Sequence, residues 1–316
     1  MIDSPITSML GIRYPIFQGG MAWIADGRLA AAVSEAGGLG IISAMNAGAD
    51  HLRGQIRIAR SLTDKPFGVN LMLMSPAADE MASVIAEEKI RVVTTGAGSP
   101  AKYMSMWKEA GVTVIPVVAS VAYAKLMEKA GAAAVIAEGQ ESGGHIGELT
   151  TMALVPQVAD AVKIPVIAAG GIADGRGMAA ALMLGACGIQ MGTRFLVAKE
   201  CSVHQTYKDM VIGASDAATV TTGRRFGGNV CRSIKNGFTR NFSKAEYAPD
   251  ATAESVAELG VGALRRAAIE GDKQNGCFLA GQISGMIKEE MTASAILEEV
   301  MTGCETILKG AASWVK

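Results

Sequence analysis

His145 is the residue whose type and setting point most directly to chemistry in this sequence. The chain of 316 residues contains only three histidines, and this one stands in the segment GGHIG at 143–147. A histidine that only packs usually has bulky neighbours, whereas the glycines here leave the imidazole open to a ligand. Its ordinary titration range also suits proton transfer near neutral pH. We therefore predict that His145 is a catalytic residue.

Eight apolar segments with β-strand character must position this histidine. They cover residues 14–19, 39–43, 67–73, 92–96, 113–118, 134–139, 165–171 and 188–195. Their apolar residues are nearly continuous, as in a parallel sheet covered on both faces, and helical patterns lie between them. An open doubly wound sheet that binds a dinucleotide would carry a Gly-x-Gly-x-x-Gly turn, and the sequence has none. The pattern predicts an α/β fold, a (β/α)8 TIM barrel with a smaller insertion domain after strand eight.

The limits of that insertion follow from where the alternation stops. A plain barrel takes about 250 residues, so this chain has a surplus. The regular pattern is lost after Phe195 and helical periodicity returns at about Ala280. We predict a barrel domain over 1–204 and 276–316 and an insertion, acting as a lid or substrate domain, over 205–275.

The loops after strands seven and eight are the usual phosphate site of a barrel, at the carboxyl ends of the strands. Backbone N–H groups and a helix N-terminus receive the anion there. In this sequence the two loops contain Ala169, Gly170, Gly171, Gly192 and Thr193. The glycines could simply close turns, but their presence in both loops favours a phosphate-binding site.

Two polar residues, Asn70 and Glu138, stand at the ends of otherwise apolar strands. Side chains at these positions would point into the mouth of the barrel. They could orient a ligand or only satisfy nearby backbone groups. Both are candidate ligand contacts.

A stretch of basic residues lies within the predicted insertion. Between Thr221 and Ala245 there are six basic residues and no acidic residue: Arg224, Arg225, Arg232, Lys235, Arg240 and Lys244. Such a stretch is usually a solvated face, but in a nearly neutral protein it could also steer an acidic partner.

Composition and missing motifs exclude several classes of protein. The net charge of −1 predicts no nucleic-acid partner and no membrane partner. The five cysteines include no CxxC pair, and the chain has no HExxH motif and no signal sequence. We therefore predict no metal site and a cytoplasmic protein.

The glycine-rich segments together resemble a known family. They are QGGMAW at 18–23, KPFGVNLML at 65–73, TTGAGSP at 94–100, AEGQESGGHIG at 137–147, IAAGGIADG at 167–175 and MGTRF at 191–195. In this order they closely resemble the flavin-dependent enoyl-[acyl-carrier-protein] reductase II of bacterial fatty-acid synthesis. That enzyme lies within a wider flavin barrel superfamily that includes the nitronate monooxygenases.

The resemblance implies FMN across the barrel mouth and NADH or NADPH as hydride donor. By position, Gly20, Met21 and Ala22 would line the flavin ring, and Asn70 and Glu138 would hydrogen-bond it. The phosphate would lie against Ala169, Gly170, Gly171, Gly192 and Thr193. A homodimer is also implied.

For the reaction, the resemblance implies reduction of a trans-2-enoyl thioester. His145 would hydrogen-bond the thioester carbonyl or protonate the α-carbon. The substrate's acidic acyl carrier protein would dock on the basic stretch, at Arg224, Arg225 and Arg232. Two alternatives stay open at this point: a nitronate monooxygenase that uses oxygen, and a phosphate-binding barrel without flavin, such as an isomerase or aldolase.

Overall fold

The computed structural model describes residues 2–44, 48–227 and 230–314. Its strands are β1 (Ile16–Gln18), β2 (Gly40–Ser43), β3 (Phe67–Met72), β4 (Val92–Gly96), β5 (Thr113–Val118), β6 (Val135–Glu138), β7 (Gly144–His145), β8 (Val166–Ala169), β9 (Gly188–Met191), β10 (Thr219–Thr222) and β11 (Cys231–Ile234). Its α-helices are α1 (Pro5–Leu10), α2 (Gly27–Glu35), α3 (Gly48–Leu62), α4 (Ala78–Glu87), α5 (Met104–Glu109), α6 (Val121–Lys129), α7 (Thr151–Ala161), α8 (Gly175–Met183), α9 (Thr193–Leu196), α10 (Gln205–Ile212), α11 (Gly237–Glu246), α12 (Ala253–Gly260), α13 (Ala263–Arg265) and α14 (Ala293–Gly310).

Eight parallel strands form the barrel, in the order β1-β9-β8-β6-β5-β4-β3-β2. The ring closes at Leu39, whose N–H donates to the Ile16 carbonyl at 2.9 Å and whose carbonyl accepts from Gln18 N at 2.9 Å. Helices cover the outside, and α14 packs between α8 and α2. The predicted (β/α)8 TIM barrel is confirmed.

The interior of the barrel is packed with apolar side chains rather than open. Phe17, Ile41 and Ile136 are fully buried in it. Helix α1 closes the amino-terminal end, because Ile6 and Leu10 belong to the same buried cluster. Helix α1, which precedes β1, therefore covers the amino-terminal end of the barrel interior.

Two predicted element limits are wrong. The eighth strand ends at Met191 rather than at residue 195, because Gly192 starts the turn into α9. The last helix begins at Ala293 rather than near Ala280. The backbone at Gly285 lies so close to Asp216 that a side chain would meet Asp216 N at 2.9 Å. The residues before α14 instead include a short 3₁₀-helix, Gln282–Met286.

The segment 205–275 forms a small antiparallel sheet and helices α10 to α13. Strand β10 pairs with β11, and β11 pairs in turn with β7 from the loop after β6. Tyr207 of α10 and Ile234 of β11 share a core cluster with the barrel helices. The limits 205–275 for a separate domain stay a prediction. Among the described residues, no helix is long and apolar enough to cross a membrane.

Candidate active site

A cavity of about 530 Å³ lies at the carboxyl ends of the barrel strands. This volume is within the usual range of small-molecule sites. The predicted catalytic and cofactor-binding residues all line it: Gly20, Met21, Ala22, Asn70, Glu138, His145, Ala169, Gly170, Gly171, Gly192 and Thr193. Their roles stay predictions, but the fold brings them to one place.

His145 lies at the rim of this cavity, on the two-residue strand β7. Its register partner is Cys231 of β11, and the next residue, Ile146, donates its N–H to the Val230 carbonyl at 3.0 Å. The surrounding protein lowers the pKa of the imidazole below its usual 6.5, because partial burial disfavours the charged form. The imidazole is therefore neutral at pH 7.

Glu138, at the end of β6, also lines the cavity. Burial raises the pKa of its carboxyl to about 7, and the neighbouring Ser142 hydroxyl opposes part of this rise. At neutral pH the group therefore exists both as carboxylic acid and as carboxylate. The acid form can donate a hydrogen bond to a ligand, and the carboxylate can accept one.

Asn70 is held by a neighbouring strand. The Thr94 hydroxyl of β4 donates to Asn70 Oδ1 at 2.9 Å, which fixes the orientation of the amide. Gly20 lies directly against it, because a side chain at Gly20 would meet Asn70 Cβ at 2.2 Å. The loop after β1 and strand β3 can approach this closely only with glycine at that position.

The loop after β8 is fixed by a contact that the sequence analysis missed. Gly170 and Gly171 have φ angles of 88° and 72°, which favour glycine. The Thr151 hydroxyl lies 2.9 Å from the Gly170 carbonyl oxygen, and Thr151 N donates to the Glu141 carboxylate at 2.9 Å. Glu141 thus caps α7 from ten residues upstream, outside the usual capping spacing. No local pattern signals such a cap.

The loop after β9 offers an open backbone surface. Gly192 precedes α9 and Thr193 is its first residue, so the Thr193 N–H has no partner within the helix. The Thr193 hydroxyl accepts from Gly281 N at 2.9 Å. A side chain at Gly192 would have Met21 Sδ, at 3.6 Å, as its nearest neighbour. It would therefore be accommodated without a clash, in van der Waals contact with Met21, at a position that lines the cavity.

The cavity continues beyond the glycine loops along an apolar wall. The wall consists of Met72, Met74, Val117, Tyr123, Ile146, Leu264, Leu279 and Ile283. Sequence reasoning did not identify it, because these residues come from distant parts of the chain. Leu264, Leu279 and Ile283 lie within or after the segment 205–275.

The three arginines predicted to dock a carrier protein lie outside the cavity lining and differ among themselves. Arg224 and Arg225 are exposed, whereas only 7% of Arg232 is accessible. Arg225 Nη1 donates to the Glu246 carbonyl at 2.8 Å. Arg232 is thus not available on the surface as the other two are.

Comparison with known proteins identifies the family to which this chain belongs. The profile of the nitronate monooxygenase family matches residues 3–88 and 78–303. The chain belongs to the nitronate monooxygenase family. The chain is also 48% identical to FabK from Thermotoga maritima over the whole of both chains, with a TM-score of 0.97.

Two further family relatives carry different names. The chain is 32% identical, over all of its length and 99% of the relative, to a "(3aS,4S,5R,7aS)-5-hydroxy-7a-methyl-1-oxo-octahydro-1H-indene-4-carboxyl-CoA dehydrogenase" from Mycobacterium tuberculosis. It is also 32% identical, over 96% of its length and 98% of the relative, to a probable nitronate monooxygenase from Staphylococcus aureus. The nitronate monooxygenase family assignment makes this protein an oxidoreductase and a flavoprotein.

The cavity fits the FMN on which enzymes of the nitronate monooxygenase family depend. Gly192 leaves space that a side chain would fill, and the Thr193 N–H is available to an anion. Asn70 of β3 and Glu138 of β6, the neighbour of β8, add an amide and a carboxyl to the cavity lining. These groups match the needs of a phosphate and of a polar heteroaromatic ring.

Proposed function

We propose that this protein is an FMN-dependent enoyl-[acyl-carrier-protein] reductase that uses NADH or NADPH. The observation that carries the proposal is the position of His145 at the rim of a cavity built from the motifs that resemble enoyl reductase II. The 48% identity with FabK over both whole chains supports it. The apolar wall offers a surface for an acyl chain.

Bound FMN would accept a hydride from the nicotinamide and supply one to the β-carbon of the enoyl thioester. Glycines at 170, 171 and 192, with the Thr193 N–H, would hold its phosphate. Asn70 and Glu138 would hydrogen-bond its ring. The remaining task falls to the protein's own side chains, which must stabilise charge on the substrate.

His145 would meet the charge that develops on the thioester oxygen. Because its pKa is lowered, the imidazole is neutral at pH 7 and can donate an N–H hydrogen bond to that oxygen. Transfer of a proton to the α-carbon would need the charged form, which burial disfavours. We therefore favour the hydrogen-bond role for His145.

The Mycobacterium tuberculosis relative supports a thioester substrate, since its name describes a carboxyl-CoA compound. Coenzyme A and acyl carrier protein thioesters present the same acyl–sulfur group. A site adapted to one can therefore act on the other, apart from contacts with the carrier.

Nitronate oxidation with oxygen is the second candidate function. The family profile and the Staphylococcus aureus relative favour it. It needs no NADH or NADPH, because the nitronate itself supplies the electrons. The two functions therefore differ in the source of electrons.

Anaerobic flavin spectroscopy separates the two functions. NADH or NADPH is expected to bleach the flavin of the purified protein without oxygen, and crotonyl-CoA is then expected to restore its absorbance. Bleaching by an alkyl nitronate but not by NADH or NADPH would support the monooxygenase. A protein without flavin absorbance would rule out both.

The carrier protein is proposed to dock on Arg224 and Arg225, which are exposed on the segment 205–275. We expect the double variant Arg224→Glu/Arg225→Glu to raise KM for enoyl-carrier-protein substrate about tenfold, because rim charges steer acidic partners. Turnover of crotonyl-CoA is expected to stay within about twofold, since surface changes usually have small effects. Steady-state kinetics with both substrates measure the difference.

Lys108→Glu is the matched control, because Lys108 is an exposed cation of α5 on the outside of the barrel. It should affect neither substrate. Equal losses on both substrates in the double variant would contradict carrier docking and indicate a role in NADH or NADPH binding or in folding.

A further inference from the structure

Arg232 is a buried cation without an evident reason to be buried. Its guanidinium donates from Nε and Nη2 to the Gln140 carbonyl, at 3.2 and 3.1 Å, and from Nη1 to Thr219 Oγ1 at 3.3 Å. Both acceptors are neutral oxygens. Burying a charge on neutral partners costs free energy, whereas an arginine on the surface would be solvated. The position of Arg232 therefore calls for an explanation other than stability.

The Gln140 carbonyl belongs to the loop that carries His145. This loop, residues 139–150, joins β6 to α7 and supplies His145 through β7. Arg232 also pairs with Gly144 in the β7–β11 ladder, next to the Cys231–His145 pair. One residue of β11 thus holds the loop at two points, one before His145 by its side chain and one beside it by its backbone.

Charged groups around the guanidinium shift the pKa of Arg232 in opposite directions. Burial lowers the pKa of Arg232, Arg224 lowers it further, and Glu141 raises it. Glu141 lies in the same loop and accepts from Thr151 N, which joins the loop to α7. The loop is therefore tied to α7 through Glu141 and to β11 through Arg232, and Gln282 N also donates to the Glu141 carbonyl at 2.9 Å.

We propose that Arg232 is a positioning residue that fixes His145 over the cavity by holding the Gln140 carbonyl. This inference rests on the proposed function of His145. Among the contacts to this loop, the strand pairing of β7 and the side-chain contact with the Gln140 carbonyl come from β11. The segment 205–275 would then position the catalytic side chain, besides contributing Leu264 to the cavity lining.

The test replaces Arg232 in the FMN-loaded enzyme. Arg232→Gln is expected to lower kcat for crotonyl-CoA about 10- to 100-fold, since small displacements of a reacting group have effects of this size. KM and FMN content are expected to stay unchanged. Arg232→Lys should recover part of kcat, because lysine can donate to the carbonyl but lacks the planar fork.

Two measurements detect positioning without any substrate. Hydrogen exchange of the Ile146 amide, which donates to Val230, is expected to accelerate in Arg232→Gln. The His145 pKa, followed by NMR of the imidazole, is expected to rise toward 6.5 as the loop becomes better solvated. Since the chain has only three histidines, His145→Ala identifies the signal.

Arg240→Gln is the matched control, an exposed arginine of α11 changed in the same way. It should alter none of these quantities. Wild-type Ile146 exchange and wild-type His145 titration in Arg232→Gln would overturn the proposal. Should that variant fail to fold, Arg232→Lys is expected to show the same shifts at smaller size, and their absence would overturn it.

Failure of the proposed function would look different from failure of this inference. A wild-type enzyme that does not reduce crotonyl-CoA would contradict the function. The exchange and titration measurements would still report whether Arg232 holds the loop.

Discussion

Replacing His145 with alanine is expected to lower enoyl turnover by about 10²–10³-fold, the usual cost of removing one hydrogen-bond donor to a developing oxyanion. Under the proposed function, the variant loses the N–H group that would meet the charge on the thioester oxygen. Rapid-reaction measurement of flavin reoxidation by crotonyl-CoA isolates the affected step. The protein is expected to remain yellow, because His145 is not among the residues proposed to hold FMN.

The pH dependence of the wild type provides a second check on His145. Because burial lowers its pKa, the neutral imidazole is expected to persist below pH 6.5. The His145-dependent part of the rate should therefore fall only as pH drops below that value. His204→Ala is a suitable control, since His204 is an exposed residue that caps α10. Turnover by His145→Ala near that of the wild type would remove this residue from the reaction.

Replacing Gly192 with leucine is expected to prevent normal FMN binding. The φ angle of Gly192 is −105°, which any residue can adopt, and a side chain would have Met21 Sδ at 3.6 Å as its nearest neighbour. The new side chain should therefore leave the fold intact and occupy the cavity. Overfilling a packed site costs about 1–3 kcal/mol, which is roughly a 5- to 150-fold increase in Kd.

Flavin absorbance per protein and titration of the apoprotein with FMN measure this effect. Thermal unfolding of the apoprotein tests whether the fold is unchanged. Gly54→Leu is the matched control, because a side chain at Gly54 in α3 would meet nothing within 4 Å and lies away from the cavity. A Gly192→Leu protein with full FMN content and unaltered Kd would contradict the assigned phosphate loop.

The barrel could be predicted from the sequence because its signals are local. Each strand is an apolar run, and each carries its ligand-facing residues at its carboxyl end, as Asn70 and Glu138 do. Once the strand order is that of a barrel, these ends must meet. The meeting of the predicted strand-end residues in one cavity therefore follows from the chain order, whereas the apolar wall of that cavity does not.

The contacts that fix the loops could not be predicted in the same way. Glu141 caps a helix from ten residues away, and Arg232 reaches a carbonyl far back in the chain. Both depend on tertiary packing, for which the sequence has no periodic signal. Charge alone placed Arg232 with Arg224 and Arg225 in one surface patch, although its side chain is buried.

Helix α1 limits the directions from which ligands can reach the cavity. With Ile6 and Leu10 buried in the base of the barrel, the packed interior offers no passage to the amino-terminal side. Ligands would then enter and leave the cavity at the carboxyl-terminal end of the barrel. Under the proposed function, NADH or NADPH and the enoyl thioester would therefore enter and leave on the same side of the barrel. Helix α1 would thus make the two substrates share one face of the enzyme.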